Sequence, residues 1–249
     1  MPASNVVVQF EHYRDSPART AAPHPLSAAL VESLALVPPR PPGLAACVAH
    51  LQQDAQAIAA SYGTVRTLHR LRDTMFVAPG RDAQMNSLWS ACVATAILAA
   101  RLARALGLEP GLAAGAGLLH RAGDVWALAA LARAEIAIGS QLPDHSALPA
   151  VTAREVDLAA RLASCWALSP EMTTAMTHWR QWPEEAGDAA PSIAGVVYFA
   201  CLLATELAWP ETCTPGALDA AAADGGIEPA LLEDARTQFP ALRELLARL

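Results

Sequence analysis

The sequence predicts an all-α protein, a multi-helix bundle of about ten to twelve helices of ordinary length. Three observations lead there. More than fifty of the 249 residues are alanine and only 5% are aromatic; alanine is the best intrinsic helix former and is depleted in strands. Prolines recur at intervals that suit helix ends and first turns, from Pro38 through Pro110, Pro170 and Pro229 to Pro240, since proline is tolerated in a first turn and breaks a helix interior. Apolar residues also fall at helical spacing: Met172, Ala175, Met176 and Trp179 stand at i, i+3, i+4 and i+7 and make one stripe.

Taken in order, residues 1–25 read as an extended N-terminal arm, with a β-like run (Val6 to Phe10) followed by Pro17, Pro23 and Pro25. From Leu26 the pattern is helical. Residues 88–106 are apolar nearly all round, broken only by Arg101 and Arg104, and read as a central helix. Ser169-Pro170 and Thr214-Pro215 each read as an N-cap followed by proline at the first helical position. Ala189 to Thr205 is uncharged, and its length is at the lower limit for crossing a bilayer. We read it as a helix buried on all sides rather than a membrane span. No 20–50-residue repeat, Gly-rich phosphate loop, GxSxG elbow or HExxH is present.

Charge and cysteine content narrow the function. All 17 basic residues are arginine, against 24 acids, for a net charge of −7. Residues 184–249 hold 11 acids and 3 arginines and so carry the deficit. Nucleic-acid binding needs a basic surface that releases counterions, so no nucleic-acid partner is expected. Arg66, Arg70 and Arg72 with His69 form a small basic patch that reads as a solvated face. The five cysteines are widely spaced and never form CxxC, which argues against a disulfide framework or zinc ribbon and for a reducing compartment. With no signal-peptide pattern at Met1 to Asn5, a cytoplasmic location without membrane insertion is expected.

Three stretches in order carry a resemblance. Leu88 to Leu108 (LWSACVATAILAARLARALGL) is followed by Gly117-Leu118-Leu119-His120-Arg121-Ala122-Gly123. Arg154 to Leu168 (REVDLAARLASCWAL) then runs into Ser169-Pro170-Glu171, and Ala175 to Trp179 closes the series. Leu36-Val37-Pro38-Pro39 to Gln53 is similar to an LPPLP-type opening helix. Together these resemble the HDOD family, the HD-related output domains of the HD phosphohydrolase superfamily. The resemblance spans roughly residues 34–205 and implies a single helical domain over 26–249. Within it, a small N-terminal helical part occupies about 26–82, shortened between Phe76 and Leu88. An HD-like core occupies about 83–209, and C-terminal helices fill 210–249.

The resemblance also implies which positions once held metal. HD enzymes hold a divalent ion with a first His, a His-Asp pair on the next helix, a later Asp and, in many, further His residues. Those positions carry Ala91, His120-Arg121, Cys201 and Glu155 here, so one ligand of the essential set remains in kind. Arg121 places a cation where the metal belongs, which opposes binding. This is a degenerate member, for which we expect no catalytic residue, no metal and no cofactor.

The leading expectation is a non-catalytic bacterial signal-transduction module. It acts by contact with protein partners in a signalling pathway, such as one that uses cyclic dinucleotides, and reads as a stand-alone adaptor. Arg121, Asp124 and Glu155 then form an internal ion-pair network, while His178, Arg180 and Trp182 form an outward or cleft-facing partner site beside the core residue Trp179. The alternative is a small-ligand sensor for a nucleotide or other anion, with His120, Arg121, Asp124 and Glu155 as the binding residues. A rebuilt zinc site of His120, Glu155 and Cys201, or a metal-dependent phosphohydrolase, stands a distant third.

Overall fold

A computed structural model of the protein describes residues 25–141, 155–182, 192–208, 216–224 and 227–249. Among these residues there is no strand, and thirteen helices are present. The expected β-like run at Val6 to Phe10 and the Thr214-Pro215 cap lie outside the described residues. Helices α1 (Pro25–Ala35), α2 (Leu44–Leu51), α3 (Ala55–Ala60) and α4 (Tyr62–Met75) form the N-terminal part. After them come α5 (Asp82–Ala105), α6 (Pro110–Leu119), α7 (Ala122–Ile138), α8 (Glu155–Cys165), α9 (Pro170–His178) and α10 (Ile193–Ala208). Three short helices, α11 (Ala217–Asp224), α12 (Pro229–Arg236) and α13 (Phe239–Arg248), finish the chain. The helix count exceeds the expected range because the small N-terminal part is cut into short pieces at Pro41-Pro42-Gly43, Gln52 to Asp54 and Ser61.

Helix α5 is the centre. Every residue from Cys92 to Ala100 is buried, and α5 packs along both α6 and α10. Small residues make the approach close: a Cβ on Gly117 of α6 would stand 2.8 Å from Ala96 Cα. By length and composition alone α5 could cross a membrane, but 72% of its apolar window is buried inside the protein. Its hydropathy therefore reflects a core position. The run at the start of α10 behaves the same way, with Ala194 to Val197 and Phe199 to Ala200 all buried.

Local signals set the helix ends around the core. Glu109 caps α6 by accepting from Gly111 N at 2.9 Å and from Leu112 N, with Pro110 next in the chain. Ser169 caps α9 by accepting from Met172 N at 3.2 Å, as the Ser-Pro pair predicts. Between α8 and α9 the chain turns through Ala167, the one non-glycine among the described residues with positive φ (51°). A left-handed conformation costs an L-residue about 1–2 kcal/mol. Ala167→Gly is therefore expected to raise stability by about 1 kcal/mol at most, read as a higher urea midpoint, because glycine's unfolded-state entropy offsets part of the relief.

The C-terminus is tied back to the N-terminal part. Arg72 donates to the Leu249 carbonyl, and the His69 ring lies 3.1 Å from the Arg248 carbonyl. Half of the basic patch expected to be a solvated face thus anchors the last turn of the chain, while Arg66 and Arg70 remain exposed.

Candidate functional site

The break between α6 and α7 is a single sharp corner. His120 is the C-cap of α6 and Arg121 the N-cap residue of α7 (φ −113°, ψ 20°), so two adjacent side chains are aimed into the interior. His120 is fully buried. Its Nδ1 lies 2.6 Å from the Gly117 carbonyl, an acceptor, which places the proton on Nδ1 and leaves the Nε2 lone pair without a partner. Trp179 stands edge-on to the imidazole at 4.8 Å and donates its indole N–H to the His120 carbonyl at 3.1 Å. Burial pushes the His120 pKa down to about 3, helped by the Arg121 and Arg180 cations and opposed by the Gly117 bond. The imidazole is neutral.

Arg121 and Asp124 are 2% and 1% exposed. Arg121 Nε donates to Asp124 Oδ2 at 2.8 Å, one turn along α7. Burial works against the Arg121 charge, but Asp124, Glu155 and Cys201 around it prevail and hold the guanidinium protonated. A second arginine completes the group. Arg180 stacks over Trp179 at 4.7 Å and reaches Glu155 Oε2 at 3.1 Å and Asp124 Oδ2 at 3.7 Å. Glu155 begins α8, where the helix dipole also favours its charge. Two arginines and two carboxylates thus neutralise one another in a buried cluster. Cys92 of α5 closes the floor: burial pushes its thiol up to about 12, with Arg121 pulling the other way and Asp124 and Cys201 adding to the rise.

The helix contact that carries this cluster is tight. Gly123, in the first turn of α7, lies against the backbone of α8, where an added Cβ would meet the Glu155 carbonyl and come within 3.3 Å of Ala159 N. Gly123→Ala is expected to cost about 1–3 kcal/mol by overpacking, measured by urea denaturation. Backbone cannot swing aside as a side-chain tip can.

The four residues proposed from sequence as one site, His120, Arg121, Asp124 and Glu155, are therefore together and buried. Cys201 lies near enough to act electrostatically on Arg121 and Cys92, while Ala91 offers only a methyl group. These residues do not fit a metal ion. The guanidinium of Arg121 lies among the acidic groups, both carboxylates are held by arginine, and Nδ1 of His120 is bound to backbone. Among the described residues, no group of three or more His, Cys, Asp or Glu is placed to hold a metal.

The outward site expected of His178, Arg180 and Trp182 is not formed as one face. His178 is exposed, but Arg180 caps the ion-pair cluster. Trp182 is buried against Gly195, Tyr198 and Phe199 of α10. The reason is that α9 ends at His178, so helical spacing no longer governs where residues 179–182 point. Sequence reasoning also missed a second buried ion pair. Arg81, just before α5, is held bidentately by Glu135 near the end of α7, at 3.2 and 2.5 Å. No local spacing connects residues 54 apart in the chain.

The family model of the HDOD domain matches residues 64–182. The chain carries an HDOD domain. Its matched span contains His120, Arg121, Asp124, Glu155, Arg180 and Cys92, leaving only Cys201 of the cluster outside. Two crystal structures share the fold, both from Shewanella amazonensis. A protein provisionally named a phosphohydrolase is 18% identical, with a TM-score of 0.52 over 89% of this chain and 98% of that one. Another, provisionally named a metal-dependent phosphohydrolase, is 15% identical, with a TM-score of 0.55 over 98% and 97%. At these identities the likeness is one of fold. Among curated proteins none matches the chain. The segment that matches the HDOD domain thus contains most of a buried, arginine-centred ion-pair cluster.

Proposed function

We propose that the protein is a non-catalytic signal-transduction module of the bacterial cytoplasm, acting through contact with a protein partner, for example in a pathway that uses cyclic dinucleotides. The observation that supports this reading is the buried Arg121 guanidinium, paired with Asp124 at 2.8 Å, at the position that the HDOD resemblance assigns to the ligating Asp of HD enzymes. A fixed cation cannot lower the pKa of a bound water as a metal does, and the carboxylates that would ligate an ion are already paired. What remains of the HD design is a rigid scaffold that presents surface.

The test has two arms. Protein purified without chelator is assayed for metal and for phosphodiesterase activity with added Mn²⁺, Fe²⁺ or Zn²⁺. We expect less than about a tenth of an equivalent of any transition metal, since a site without open ligands has no claim on one, and no activity that His120→Ala removes. Stoichiometric metal, or turnover lost in His120→Ala, defeats the non-catalytic reading. In the second arm, crosslinked affinity capture from the source bacterium is expected to return a reproducible partner. Repeated capture at background defeats the adaptor reading.

A sensor for a nucleotide or other anion is the second reading, favoured by His120 Nε2 and Asp124 Oδ1, both buried without a hydrogen-bond partner. It predicts that nucleotides raise the melting temperature by mass action and that Arg121→Ala removes the rise. No shift with any nucleotide leaves the adaptor reading alone.

A further inference from the structure

Helix α4 packs on α2 and α3 with Thr64, Leu68 and Leu71 buried, and leaves its opposite face to solvent. Tyr62, Arg66 and Arg70 stand on that face at i, i+4 and i+8, and all three are exposed. At helical spacing they make one stripe, about 12 Å long.

Each member of the stripe stands apart from its kind in the rest of the molecule. Tyr62 is 81% exposed and is the one exposed aromatic side chain among the described residues. Every other arginine among the described residues pairs with a carboxylate or donates to a backbone carbonyl. The guanidinium groups of Arg66 and Arg70 do neither, although the chain has 24 acids for its 17 arginines. Asp73, at the far end of the same face, is taken by Arg72 at 3.3 Å. Two like charges four residues apart destabilise a helix slightly, a cost that an opposing charge removes. Tyrosine and arginine are also the residue types enriched where protein partners bind.

The partner must bring negative charge. The net charge of −7 repels a nucleic acid. An extended acidic segment finds no sheet edge to pair with, since no strand is present among the described residues. A helix satisfies its own backbone, and carboxylates four residues apart on it repeat the roughly 6 Å rise between Arg66 and Arg70. We propose that Tyr62, Arg66 and Arg70 form the docking stripe for an acidic helix of a protein partner. The two guanidinium groups take its carboxylates, each through a bidentate fork, and Tyr62 takes an apolar side chain one turn further on. This rests on the adaptor reading and names its surface. Exposed ion pairs are individually weak, so the contact is a transient one.

The test uses the full ¹⁵N-labelled chain and a capped, alanine- and glutamine-based helical peptide with glutamates at i and i+4 and a leucine at i+8. A peptide of the same composition, with those residues spread around the helix, is the control. The Arg66 and Arg70 Nε–H cross-peaks are assigned by their loss in Arg66→Gln and Arg70→Gln. Both are expected to move saturably with the first peptide, which should bind roughly fivefold tighter than the control. That advantage is expected to vanish in about 0.5 M salt. Arg66→Glu with Arg70→Glu is expected to weaken binding at least about tenfold. Both side chains are exposed and glutamate is a good helix former, so this variant keeps its fold. Tyr62→Ala is expected to weaken binding about threefold with both arginines in place. Equal binding of the two peptides, shifts confined to other arginines, or binding unchanged in the double variant overturns the proposal. A dimer in sedimentation that the double variant dissolves puts a second copy on the stripe and overturns it too. A native partner captured equally by the wild type and the double variant leaves the adaptor reading standing and removes this stripe as its surface.

Discussion

Replacing Arg121 with alanine is expected to lower the unfolding free energy by about 3–5 kcal/mol, the usual cost of removing one partner from a buried pair. The guanidinium is 2% exposed and Asp124 is 1% exposed, so solvent cannot take over the abandoned charge. Arg180 is too far to replace it, at 3.7 Å from Asp124 and already engaged with Glu155 at 3.1 Å. The double variant Arg121→Met with Asp124→Leu is expected to recover most of the loss, since buried pairs exchange for apolar residues at little net cost. It leaves the Arg180–Glu155 contact in place. Arg121→Asp, which writes the acid back beside His120, should be at least as unstable as Arg121→Ala in the absence of metal, because three carboxylates then share one arginine. Urea denaturation of the three variants beside the wild type measures all of this. A loss under about 1 kcal/mol for Arg121→Ala would mean that the cluster is wet and the guanidinium no substitute for an ion.

Acidification is expected to destabilise the protein well above the range where carboxylates titrate. The His120 pKa is about 3 in the fold, against about 6.5 in the unfolded chain. A histidine kept neutral by burial contributes its full stability above pH 6.5. Below that the unfolded state binds a proton that the native state refuses, and stability falls by about 1.4 kcal/mol per pH unit until the folded value is reached. Between pH 6.5 and 4.5 the expected loss is about 2 kcal/mol. Asp234, whose pKa the Arg101 hydrogen bond holds below 3.8, loses its contribution only beneath that window and does not confuse the reading. His120→Asn retains a donor toward the Gly117 carbonyl and removes the titration, so its stability should be nearly flat over the same range. Parallel pH profiles for the two proteins would refute the assignment.

Much of the fold was legible because its signals are local. The Ser169-Pro170 cap, the apolar run that became α5 and the Gly-Leu-Leu-His corner each announce themselves within a few residues. The grouping of His120, Arg121, Asp124 and Glu155 was legible through the HDOD resemblance, which places distant segments side by side. What failed was extrapolation past a helix end. Continuing the α9 spacing puts Trp182 on an outward or cleft-facing site, yet the helix stops at His178 and the ring packs against Gly195. Arg180 was missed as a member of the cluster for the same reason.

By itself the sequence determined the helical class and the corner between α6 and α7, since each depends on residue type or short-range spacing. Only the tertiary structure decided how the charges are settled. Coulomb energy and desolvation depend on distances between segments that the chain order does not encode. That Arg121 takes Asp124, Arg180 takes Glu155 and Arg81 takes Glu135 therefore follows from the packing of α7 against α8 and from the approach of the α5 start to the end of α7. The same packing spends one indole N–H, on Trp166, and leaves another, on Trp126, without an acceptor. No pattern of tryptophans in the sequence distinguishes the two.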